Sequence, residues 1–331
     1  MSSPLAPPGP PAPPEARRPS RFAVTPRRYR AVTAVALAML CAIVVTGAAV
    51  RLTESGLGCE TWPNCSSDQL IEFGSPNQAI EQVNRLFTGL VSASVIAAVL
   101  GSLWRVPRRR DLVLWSLALV AGVLGQIVLG GITVLVDLHP LAVAGHFVLS
   151  MLLVAAAVTL AWRARHDDVP RAPRVPAAEL NLSRVAVVAA AALMVTGPLV
   201  TGSGPHAGDA EARRFGYHIP DVVRVHSINM WVFLAVVVVL LVLLARRGAP
   251  ADVLRRGGAL LAAIVAQGAI GYTQYALGIP EWVVLAHIAG ATTVLGVTVW
   301  FHLGLSGPAA EAAEPATAAG TSVAPVAGVG R

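Results

Sequence analysis

Apolar residues in this chain come in long, nearly unbroken runs rather than in the spaced stripes of water-facing helices and strands. Eight runs are long enough to cross a hydrocarbon core of about 30 Å, which takes roughly 20 helical residues. They cover 31–50, 82–104, 112–135, 141–162, 184–200, 225–245, 256–277 and 282–304, the fifth being the shortest. Helices satisfy their own backbone hydrogen bonds in lipid, and no run alternates as a barrel strand does. The pattern predicts an all-α membrane protein with eight transmembrane helices. The first run exceeds the roughly 7–15 residues of a signal-peptide core, so it is expected to remain as a helix. Residues 1–30, Pro-rich and then Arg-rich, and residues 305–331, rich in Gly, Ala and Pro, offer no apolar face and are expected to be disordered tails.

Composition agrees. Of 331 residues, 55% are hydrophobic and only 13% charged, about half the charge of an ordinary soluble domain. The partner is a lipid bilayer. The net charge of +7 comes from 25 basic residues that are all arginine. Twenty of them fall in the two tails and in the loops after the second, fourth and sixth runs. Five fall on the other side (Arg51, Arg85, Arg213, Arg214 and Arg224), which also holds ten of the 18 acidic residues. By the positive-inside rule both termini are cytoplasmic. This placement also removes the nucleic-acid reading that a basic soluble protein would invite.

The two halves resemble each other. Val45-Thr46-Gly47 and the segment Val50 to Gly56 close the first run; Val195-Thr196-Gly197 and the segment Val200 to Gly204 close the fifth. Gln126 precedes His146 by 20 residues, and Gln267 precedes His287 by the same 20, with Gly130 and Gly271 in matching places. Four helices per half make the repeat parallel. Two pseudo-symmetric four-helix bundles are expected, at 31–165 and 184–304, joined by a cytoplasmic linker at 166–183.

Ionisable residues inside a membrane are costly and point to function. His146, His226 and His287 each lie near the outer start of an even-numbered helix and so share one depth. His226 and His287 fall in one bundle, where two facing imidazoles suit the axial positions of a haem iron. The alternative is a buried histidine bonded to a neighbouring backbone or serine. Zinc fits less well, because further ligands are missing. In the other bundle His146 has Asn84, a poor iron ligand, where symmetry puts His226. Glu81, Asn84 and Arg85 share one helix face, able to anchor a ligand or handle protons, or simply to form a boundary ion pair. Cys59 and Cys65 lie in the outer loop after the first helix, where a disulfide or two free thiols are both open readings; there is no C-x-x-C motif. His206 is read as a solvated loop residue and Trp62 as an interfacial one.

These features together resemble the haem A synthases. The carriers are the duplicated eight-helix layout, the Arg51 to Leu57 segment followed by Cys59 and Cys65, the motif Glu81-x-x-Asn84-Arg85, and His146, His226 and His287. The resemblance spans about residues 30–304. It implies an oxidoreductase of the bacterial cell membrane that oxidises a porphyrin methyl of haem O to the formyl group of haem A, for cytochrome oxidase assembly. It further implies that His226 and His287 ligate haem b, and that His146, with Asn84 and Arg85 nearby, holds the substrate haem. Glu81 becomes the catalytic carboxylate and Cys59–Cys65 a disulfide. Haem O synthase and an electron donor or acceptor are the implied partners. A b-type electron carrier or a haem-binding chaperone would use His226 and His287 equally well, but would leave the cysteines and the Glu81–Arg85 pair without a role.

Overall fold

The computed structural model describes residues 23–309. Eight helices occupy most of that span: α1 Pro26–Leu52, α2 Pro76–Trp104, α3 Arg110–Leu135, α4 Pro140–Arg165, α5 Ala177–Ser203, α6 Ile219–Arg246, α7 Ala251–Ala276 and α8 Glu281–Gly304. Two short strands, β1 Arg171–Pro173 and β2 Ser306–Pro308, pair antiparallel. All eight helices are long and apolar enough to cross a membrane. The chain is a multi-pass membrane protein of the all-α class.

At 24–29 residues and 1.5 Å per residue, each helix is longer than the lipid core requires, so its ends carry polar residues. That explains where the structure and the hydropathy pattern differ. Helix α1 begins at Pro26, with the Thr25 hydroxyl accepting from the Arg28 N–H. The Val24 N–H donates to the Trp104 carbonyl, and the Val106 N–H donates back to that of Val24. Residues 23–30 thus belong to the folded part; the remainder of the expected N-terminal tail lies outside the described residues. Helix α5 starts at Ala177, not 184. Its first turns are polar, but Glu179 is fully buried against Arg247 at 3.0 Å, and the Ser183 hydroxyl lies 2.9 Å from His302 Nδ1. The linker contributes β1, and β2 opens the segment expected to be a C-terminal tail, of which 310–331 lie outside the described residues.

Helices α1–α4 form a ring in which α1 touches α2 and α4, and α3 touches the same two. Helices α5–α8 repeat the arrangement. The rings meet through α4 on α8, α1 on α8 and α5 on α4. Exchanging the halves turns the second of these contacts into the third, as a two-fold relation demands. Each ring has its own core: Val95, Leu112, Leu119 and Leu160 in one, Phe233, Leu240, Leu260 and Phe301 in the other. Val44, Met151 and Val154 of the first ring join the second core, so the interface is packed, not merely touching. Large apolar side chains such as Leu124, Leu152, Val188 and Val265 point outward. Patches of that extent mark a lipid or protein contact.

The repeat extends to specific bonds. Asp111, Gln126, Gly130 and His146 recur 141 positions later as Asp252, Gln267, Gly271 and His287. Gln126 Nε2 donates to the His146 carbonyl at 3.1 Å, and Gln267 Nε2 to that of His287 at 2.8 Å. Asp111 takes Arg109 and Arg163; Asp252 takes Arg174 and Arg256.

Candidate functional site

In the second ring, α6 and α8 stand diagonally opposed, and each presents one histidine to the space between them. The ring centroids of His226 and His287 lie 6.4 Å apart with their planes inclined by 68°. The Nδ1 atom of each is engaged: that of His226 lies 2.9 Å from the Thr196 hydroxyl of α5, and that of His287 lies 3.1 Å from Gln267 Nε2 of α7. Among the described residues, Nε2 of neither ring has a hydrogen-bond partner. These two rings would hold the iron of a prosthetic group between them. Around them is a cavity of about 420 Å³, within the size range of cofactor sites. Its walls include Leu193, Met194, Met230, Ile288 and Val294. Two neutral donors, apolar walls and fixed Nδ1 partners fit a flat iron macrocycle. Among the described residues, no group of three or more His, Cys, Asp or Glu could hold a bare metal ion.

The first ring uses the same helix frame with asparagine in place of one histidine and a different hydrogen-bond setting for the other. The Thr46 hydroxyl of α1 donates to Asn84 Oδ1 of α2 at 2.8 Å, the counterpart of Thr196 with His226. Opposite, on α4, His146 Nδ1 is buried and has no hydrogen-bond partner among the described residues. A Cβ built on Gly130 would meet His146 Cε1 at 3.2 Å; one on Gly271 would meet His287 Cε1 at 3.0 Å. In both rings a glycine clears space for the imidazole. No hydrogen bond or ring contact among the described residues joins His146 to Asn84 or Glu81.

Glu81 is buried and held at both oxygens. Its Oε1 accepts from Arg85 Nη2 at 2.6 Å and Nε at 2.9 Å, and its Oε2 accepts from the Cys59 N–H at 2.8 Å. Arg85 donates onward to the carbonyls of Thr61 and Asn64. Cys59 and Cys65 form a disulfide, and both are buried. The small loop that they close is therefore docked onto the Glu81–Arg85 pair by charge-assisted hydrogen bonds, the stronger kind. Trp62 in that loop is anchored over Gly131 of α3, where an added Cβ would meet its ring at 2.8 Å, and stays exposed on its other side. His206 is likewise no free loop residue: its Nε2 lies 2.8 Å from the Ile279 carbonyl, and it lines the cavity of the second ring. The two threonines stand inside the repeated Val-Thr-Gly segments, yet sequence alone does not pair them with the residues they face. Nor does sequence alone place Arg51 at the cavity it lines.

A duplicated eight-helix membrane protein with a two-histidine cavity in one half and a histidine, a carboxylate and a disulfide loop in the other defines the class. Residues 30–73 and 69–204 match the model of the cytochrome oxidase assembly proteins, COX15-CtaA, and the chain belongs to that family. Three similar proteins are each named heme A synthase. The one from Methylobacterium nodulans is 29% identical over 315 residues, covering 78% of this chain and 87% of the relative. That from Methylobacterium sp. (strain 4-46) is 29% identical over 344 residues, covering 87% and 94%. That from Sphingopyxis alaskensis is 25% identical over 343 residues, covering 86% and 94%.

Proposed function

We propose that this chain is a haem A synthase of a bacterial cell membrane, oxidising one porphyrin methyl of haem O to the formyl group of haem A. Membership of the oxidase-assembly family and the relatives named heme A synthase support this reading. The observation that carries it is a broken symmetry at the position facing the second histidine of each ring. Thr196 faces His226 while Thr46 faces Asn84. A purely electron-carrying protein has no need for that difference.

In this reading His226 and His287 hold haem b, which supplies one-electron redox chemistry when bound. Thr196 and Gln267 orient the two rings through Nδ1. His146 ligates the substrate haem O from one side, and Asn84 does not compete for the other. Glu81 stands ready to take a proton from the reacting methyl or to stabilise positive charge developing there. Arg85 and the Cys59 N–H fix both of its oxygens, so the carboxylate does not reorganise as charge develops. The arginine distribution supports both termini on the cytoplasmic side and the disulfide loop on the opposite one. Haem O synthase and an electron donor or acceptor are the partners this chemistry calls for. The test is co-expression with a haem O source, followed by chromatography of the extracted pigments. Haem A supports the synthase; haem b with unconsumed haem O supports the electron carrier instead.

A further inference from the structure

Arg51 lies at the end of α1, in the first ring, yet it lines the cavity of the second. Its Nε donates to the His206 carbonyl at 2.8 Å. Among the described residues no carboxylate pairs with it. Arg214, in the loop between α5 and α6, is spent on the carbonyls of Gly204, Ala212 and Pro205. Arg224 lines the same cavity, and its contact with Asp221, at 3.7 Å, is on the exposed surface. Other arginines at helix ends do have acids: Arg85 has Glu81, Arg109 has Asp111, Arg174 has Asp252 and Arg247 has Glu179. A guanidinium withdrawn from water without an anion is unfavourable. Here it stands at an apolar cavity that also presents two imidazoles.

We infer that Arg51 binds a carboxylate arm of the prosthetic group held between His226 and His287, with Arg224 placed for a second arm. Arg51's terminal nitrogens match a carboxylate's two oxygens as a planar fork. The chemistry selected is a planar, apolar macrocycle bearing carboxylates. One ring of helices therefore completes the cofactor site of the other. This rests on the reading of His226 and His287 as haem ligands.

The test uses the full-length chain, purified haem-depleted in detergent and titrated with iron protoporphyrin IX and with its dimethyl ester. Wild type is expected to prefer the free acid by about tenfold or more, the value of one charge-assisted hydrogen bond. Arg51→Gln should reduce that preference to about threefold or less while keeping the bis-histidine absorption spectrum, and Arg51→Lys should fall between. If Arg51→Gln weakens both porphyrins by the same factor, the side chain serves only the fold and the inference is overturned. It is overturned equally if the preference survives in Arg51→Gln and in the double variant with Arg224→Gln. Failure of the underlying reading looks different: His287→Ala would then keep the bis-histidine spectrum.

Discussion

The backbone N–H of Cys59 donates to Oε2 of Glu81 at 2.8 Å, across 22 residues of sequence. The disulfide loop thereby holds the carboxylate from the side opposite Arg85. Opening the disulfide frees the loop without touching Glu81 itself. In a Cys59→Ser/Cys65→Ser variant, haem A yield per chain is expected to fall about tenfold, the value of one charge-assisted hydrogen bond, while haem b content stays constant. Pigment chromatography normalised to protein measures both. An unchanged yield would show that Glu81 is held well enough without the loop.

Glu81→Gln keeps the shape but removes the charge and the basicity. Positioned general acid–base groups contribute about 10²–10⁴ in rate, so haem A formation should drop at least about a hundredfold. The Cys59 contact can persist to the amide oxygen, so loss of activity with an intact disulfide and normal haem b would assign the effect to chemistry. Retention of full activity would remove Glu81 from the mechanism.

Asn84 occupies the place of His226, and Thr46 that of Thr196. Asn84→His should therefore create a second two-histidine site opposite His146. Expected outcomes are a rise in low-spin haem per chain, read by electron paramagnetic resonance, and a fall in haem A yield as the substrate position becomes doubly ligated. Adding Thr46→Val should diminish the new signal by removing the Nδ1 partner.

The glycines beside the histidines give a graded series. An added Cβ meets His287 Cε1 at 3.0 Å from Gly271, His146 Cε1 at 3.2 Å from Gly130, and His226 Cε1 at 3.6 Å from Gly197. The last is ordinary contact; the first two are crowded, and packed interiors yield little to extra volume. Gly271→Ala should lower haem b occupancy, Gly130→Ala should lower haem A yield with haem b unchanged, and Gly197→Ala should do neither. Pyridine haemochrome content and pigment ratios separate the three.

The eight spans were legible because lipid demands long apolar runs. The repeat was legible because Gln126/His146 and Gln267/His287 keep one spacing. The ends of the helices were not. Glu179 and Ser183 read as polar, yet Glu179 is buried against Arg247 and Ser183 lies beside His302; hydropathy counts residues and not their partners. The pairing of His226 with His287 was foreseeable from equal depth in alternate helices. Their Nδ1 partners were not, because Thr196 and Gln267 come from the other two helices of the ring, and only packing brings them together. Arg51 was hidden for the same reason: its helix belongs to one ring and its side chain to the other's cavity.

In the proposed division of labour, one half holds a redox cofactor and the other oxidises a substrate haem. The most direct test is pigment chromatography on membranes co-expressing a haem O source with wild type, Glu81→Gln or His287→Ala. Haem A and haem b are expected with wild type, haem b and unconsumed haem O with Glu81→Gln, and loss of haem b together with haem A for His287→Ala. Haem b alone from wild type, with all the haem O recovered, would contradict it.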